Sequence, residues 1–167
     1  MIDYKNAKYL SIILIFIGFG FSVENSKSGI EIYTIKGNFK TSIKNCYYCF
    51  DENSVILNQN PIFDEDDIKD FNWKDQQIFL NESGKKKLKK IKIPLPGMPV
   101  VMVLNNKRIY GFWFWDKFSS FGCDRVYTYP EKDFKIKFGL PKKNTFGIDP
   151  RFNEVLHKYV IDKYKQY

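Results

Sequence analysis

Val100-Val-Met-Val-Leu104, Asn105-Asn106 and Lys107-Arg-Ile-Tyr-Gly-Phe-Trp-Phe-Trp115 decide how this chain folds. Two apolar runs flank a pair of asparagines, a residue type that tolerates the positive φ a two-residue hairpin loop demands. The stretch therefore predicts an antiparallel pair. Along its second strand Phe112 and Phe114 face one way and Trp113 and Trp115 the other. Either that strand is central and covered on both sides, or the tryptophan side is an exposed platform for a sugar or peptide.

Moving toward the N-terminus, residues 94–99 hold three prolines and a glycine and break whatever precedes them. Before them, Asn81-Glu-Ser-Gly84 starts a helix running to Ile91, with Leu88 and Ile91 as its only apolar positions. Gln77-Ile-Phe-Leu80 reads as a strand. Asp64 is a credible cap for a short helix over 64–71, since Glu65, Asp66 and Asp67 fill its first turn. Residues 55–57 form a short apolar run, and Ile30-Glu-Ile-Tyr-Thr-Ile35 alternates as a strand does.

Toward the C-terminus, residues 126–129 and 134–138 supply two more strands, the second with clean period-two alternation. Asp149-Pro150 reads as a cap followed by proline at the first helical position. Phe152, Val155, Leu156, Tyr159, Val160 and Tyr164 then fall on one face at helical spacing. The fold class expected is α+β: a mainly antiparallel sheet with a C-terminal amphipathic helix packed on it. Residues 29–167 form a single globular domain, because 167 residues leave room for one core and not comfortably for two. With 16 Phe, 11 Tyr and 3 Trp, that core is heavy in rings, and a hydrophobic fraction of 44% excludes a disordered chain.

Residues 9–23 are an uninterrupted apolar and small-residue run, preceded by Lys5 and Lys8 and followed by the polar link 24–28. As a helix the run spans about 22 Å, short of a hydrocarbon core of roughly 30 Å, so a signal peptide cut after Ser22 is preferred to an N-terminal membrane anchor. The expected location is extracytoplasmic, in a periplasm or cell envelope, with membrane association through residues 9–23 where the segment stays attached. The whole chain carries a net charge of +8. Losing residues 1–22 removes two lysines and one aspartate and leaves +7. Such a surplus suits acidic partners or plain solubility. Nucleic acid is not expected in that compartment, and a protein or envelope component is the expected partner.

Three cysteines carry the only chemistry-bearing motif. Cys46-Tyr-Tyr-Cys49 has redox-pair spacing, but the residues after Cys49 are polar loop and not the long helix of a thioredoxin-type site. A structural disulfide from Cys46 or Cys49 to Cys123 is the preferred alternative. A Cys₃His zinc set with His157 is formally possible, yet His157 lies about 140° around the helix from Phe152, off its apolar face. No metal or cofactor is expected. Ser119 and Ser120 have no identifiable base, so no catalytic set emerges. Lys85, Lys86, Lys89 and Lys90 are binding candidates for phosphate or anionic lipid, with a solvated helix face as the plainer reading. Trp113 and Trp115 are candidates only if their face is open.

Asp67-Ile68, Gln77-Ile-Phe-Leu80, Gly84 with its helix to Ile91, Gly97, and the hairpin through Asn105-Asn-Lys-Arg108 and Ile109-Tyr110 follow one another in a known order. Residues 64 to about 120 resemble the extracytoplasmic head subdomain of the SecD/SecDF export-translocase family. The resemblance implies a ferredoxin-like β-α-β-hairpin portion and a non-enzymatic, protein-handling role. The chain departs from that family in lacking its many membrane spans and in adding Phe112-Trp-Phe-Trp115, the cysteine segment and a C-terminal helix. From these readings the expected function is a non-enzymatic binding or interaction module, with a thiol-disulfide protein using Cys46 and Cys49 as the alternative.

Overall fold

The computed structural model describes residues 28–37 and 43–165. The run at 1–23 expected to be a targeting segment, and all of the link except Ser28, lie outside the described residues. Among the described residues seven strands and two α-helices follow in the order β1 (Ile30–Thr34), β2 (Ile68–Asn72), β3 (Gln77–Leu80), α1 (Glu82–Leu88), β4 (Met98–Leu104), β5 (Lys107–Phe114), β6 (Cys123–Thr128), β7 (Lys137–Leu140) and α2 (Glu154–Tyr164).

The hairpin forms as its residues dictate. Asn105 and Asn106 take φ of 49° and 64°, and Leu104 pairs with Lys107 across the turn. β1 lies antiparallel to β4 on the other side, with Ile30 opposite Leu104 and Thr34 opposite Val100. The main sheet runs β1-β4-β5-β6-β7, and only the β5–β6 pairing is parallel. β2 and β3 make a separate two-stranded sheet. The fold is thus α+β with a mainly antiparallel sheet and a C-terminal helix. The strand-helix-hairpin succession expected over residues 64–120 is present as an order of elements. β3, however, lies in the small sheet and β4 in the large one.

Strand alternation builds two cores. Ile30, Ile32, Val100, Met102, Leu104, Tyr110, Phe112 and Phe114 share one face, beneath Phe71, Ile78 and Leu80 of the small sheet and Leu156 and Val160 of α2. The opposite face carries Val101 and Val103 under Val55, and Trp113 and Trp115 beside Tyr48 and Phe50. β5 is therefore central and covered on both sides.

Residue 111 has to be glycine for that second cover to close. An added Cβ would come within 2.4 Å of the Phe50 ring. Gly111→Ala is expected to destabilise by about 1–3 kcal/mol through overpacking. Adding Phe50→Ala should recover part of the loss, because the two residues are in contact. Urea midpoints of the two single variants and the double variant check this.

Three local expectations need correction. The helix expected at 64–71 is a single 3₁₀ turn, Glu65–Asp67, and Ile68 already begins β2. The Asp67 carboxylate accepts the Asp64 N–H at 3.0 Å, which closes the turn, and pairing with β3 then outweighs helix continuation. At the C-terminus the cap is Asn153 and not Asp149, its side chain accepting from Val155 N–H and Leu156 N–H. Asp149 instead grips the Arg151 guanidinium, with oxygens 2.7 and 2.9 Å from its nitrogens. The last strand lies at Lys137–Leu140, later than the alternation over 134–138 suggested. Glu65 clasps both ends of the described chain, accepting from Ile30 N–H at 2.7 Å and from the Tyr164 hydroxyl at 2.8 Å.

Candidate functional site

Cys46 is bonded to Cys49, with their Cα atoms 5.6 Å apart, and Cys123 keeps a free, buried thiol. The expected bridge to Cys123 is not made. A four-residue turn brings the first two cysteines together locally. Cys123 lies at the start of β6, packed among Trp113, Trp115 and Tyr127. Burial pushes its thiol up from 9.0 to about 12, with the Asp124 charge adding to the effect. Native Cys123 should therefore resist iodoacetamide at pH 8 and react once the chain is unfolded, giving one alkylated cysteine by mass. The same shift lowers stability as pH rises from about 9 toward 12, since the unfolded thiol ionises first; Cys123→Ala should remove that component.

The turn sits on a buried carboxylate. Asp124 is 5% exposed and accepts the N–H groups of Tyr47 at 2.8 Å and Tyr48 at 3.1 Å, while its Oδ1 lies 3.6 Å from Cys46 Sγ. The Tyr48 carbonyl in turn accepts the Trp113 indole N–H at 2.9 Å. The Tyr48 ring meets both Trp113 and Trp115 edge-on at 5.0 Å. Trp113 and Trp115 are 6% and 1% exposed, so the tryptophan face is not an open platform and these two residues are corrected from binding candidates to core. Nothing in the sequence marked Asp124, because its partners are backbone groups 76 and 77 residues away.

The remaining candidates separate. Lys85 pairs with Glu82 at 2.8 Å, and Lys86, Lys89 and Lys90 are exposed. Lys87, which the sequence did not single out, pairs with the buried Asp67 at 2.5 Å. His157 is exposed and stacks on Trp73, with centroids 4.7 Å apart and planes 25° from parallel. The Cys₃His set is therefore not assembled, since two of its cysteines are bonded to each other. Among the described residues no group of three or more His, Cys, Asp and Glu side chains is placed to hold a metal ion.

A site the sequence did not disclose lies along β7. This strand has β6 on one side and, among the described strands, none on the other. A cleft of about 400 Å³ opens beside it, lined among others by Lys74, Lys135, Lys137, Lys142, Arg151 and Phe152. The chain just before β7 already accepts a strand-like neighbour: Gln77 bridges Lys135, and Ile136 N–H donates to the Gln76 carbonyl at 2.8 Å. From Lys137 onward no described strand continues this pairing. Three of the cations have carboxylate partners: Asp75 at 2.8 Å from Lys135, Asp133 at 3.3 Å from Lys137, and Asp149 at 2.7 Å from Arg151. Lys74 and Lys142 form no ion pair with the described residues. The alternation of Lys135 and Lys137 was a visible signal, but their common surface became a cleft only through the turn at 73–76 and the segment at 151–152.

Comparison with protein-family models, curated proteins and solved structures finds no match for this chain.

Proposed function

We propose that this protein is a non-enzymatic, extracytoplasmic interaction module that holds a polypeptide or envelope component at the edge of its sheet. The observation that carries the reading is the outer edge of β7, which has no partner among the described strands and opens onto a cleft rich in cations. An unpaired edge presents backbone donors and acceptors that an extended chain can satisfy. The apolar run at 9–23 supports export, and the likeness of residues 64–120 to the translocase head supports a protein-handling role. A fusion to alkaline phosphatase, which is active only where its disulfides form, tests the location; an inactive fusion contradicts it. A reduced, carboxymethylated unfolded polypeptide is the binding probe. Salt-sensitive association with the full chain is the expected result, and no association at low salt contradicts the reading.

One observation favours a second reading, thiol-disulfide chemistry: Cys46 and Cys49 are bonded beside a buried carboxylate. Against it, the two residues are only 4% and 5% exposed, and no helix begins at the motif. Insulin reduction assayed with dithiothreitol separates the readings, since turnover abolished by Cys46→Ser would establish the redox function.

A further inference from the structure

The cations of the β7 cleft do more than mark it, because their arrangement selects among the strands that an open edge admits. Resting on the interaction-module reading above, we infer that the partner is an acidic extended segment that adds to β7 as a strand and sets its carboxylates against Lys74 and Lys142.

The backbone comes first. A short edge strand is a template for pairing, and proteins ordinarily guard such edges with lysines, bulges or a following proline. β7 is four residues long, Lys137 is its first residue, and Pro141 follows it directly. Those features limit the length of any added strand. They do not cover the edge at Lys137 and Phe138: Gln76 and Gln77 reach Ile136 and Lys135, Arg151 Nη1 donates to the Ile136 carbonyl at 2.7 Å, and the turn at 142–145 crowds only Gly139. An added strand would take up the pairing where Gln77 leaves it.

The charge comes second. Lys135, Lys137 and Arg151 are already balanced by Asp75, Asp133 and Asp149, which orders their side chains and leaves little net field from those three pairs. Lys74 and Lys142 are exposed and lack such partners among the described residues, so the cleft keeps a positive surplus across the open edge. A basic strand entering there meets like charge with no relief, whereas an acidic strand gains two ion pairs at a water-accessible rim. Rim charges of this kind govern selectivity and the rate of encounter more than final affinity. The lysines that would guard a neutral edge thus become the groups that recognise an acidic one. Phe152 at the wall of the cleft offers an apolar contact for alternate side chains of the same strand.

The test uses the full chain and a labelled, acetylated ten-residue peptide of alternating Glu and Val. Its controls are the same peptide methylated on alternate backbone nitrogens and a Lys/Val counterpart. Binding of the Glu/Val peptide is expected in fluorescence anisotropy at low salt. N-methylation should weaken it at least about tenfold by removing the ladder donors. The double reversal K74E/K142E should weaken it about tenfold, with the far-ultraviolet circular dichroism unchanged. Equal binding of the N-methylated peptide would overturn strand addition, and equal binding of the Lys/Val peptide would overturn acidic selectivity. If the carboxymethylated polypeptide binds while the Glu/Val peptide does not, or binds unaffected by K74E/K142E, this assignment falls and the interaction-module reading stands. If neither probe binds, both fall.

Discussion

Trp115→Ala is expected to destabilise the protein by about 3–5 kcal/mol, the cost of emptying a fully buried aromatic site. Trp115 is 1% exposed, meets Tyr48 and Trp113 edge-on, and is anchored through its backbone N–H to the Thr128 carbonyl at 2.8 Å. A loss of that size separates a covered strand from an open aromatic platform, where a ring facing solvent costs within about 0.5 kcal/mol when truncated. Phe118→Ala supplies the internal reference, because Phe118 is one of the exposed large hydrophobic residues. Urea unfolding of the two variants should therefore diverge by several kcal/mol.

The second large effect falls on Asp124. Asp124→Ala leaves the N–H groups of Tyr47 and Tyr48 without their carboxylate and is expected to cost about 2–4 kcal/mol, since hydrogen bonds to a charged acceptor are the stronger kind. Asp124→Asn keeps one acceptor oxygen and should fall between Ala and the parent. By comparison, opening the disulfide with a Cys46→Ser/Cys49→Ser pair costs at most about 2 kcal/mol, because a four-residue ring restrains little of the unfolded chain. The carboxylate, more than the sulfur bridge, holds this turn over the tryptophans. Protection of the Tyr47 and Tyr48 amides against hydrogen exchange is the direct readout: it should be lost in Asp124→Ala and largely kept in the cysteine variant.

What the sequence disclosed and what it hid follow from the range of the interactions. The β4–β5 hairpin was legible because Asn105 and Asn106 carry its turn chemistry locally, and the apolar positions Leu156 and Val160 of α2 because helical spacing displays them. The course of β2 was not. Asp64 through Asp67 satisfy a helix start, and only pairing of Ile68–Asn72 with β3 overrides that signal. Asp149-Pro150 looked like a cap until Arg151, two residues on, claimed the carboxylate. The parallel placement of β6 beside β5 depends on Trp113 meeting Tyr127, a tertiary choice that no local pattern encodes. The candidate site was hidden for the same reason. Lys74 lies far in sequence from Lys142 and Arg151, and the three share a cleft only once β7 has become an edge. The cysteines were readable as a motif, while their pairing was decided by how β6 buries Cys123.

The proposed recognition edge lies along β7, and the aromatic face of the main sheet is structural support. The two can be perturbed separately: K74E/K142E should leave the urea midpoint unchanged within about 0.5 kcal/mol, as surface substitutions do. Hydrogen exchange on the full chain, with and without the alternating Glu/Val peptide, tests the central claim most directly. Protection gained at residues 137–140 and absent from the lysines of α1 is the predicted result. Peptide binding that leaves the β7 amides unprotected, or protects residues 85–90 instead, would contradict it.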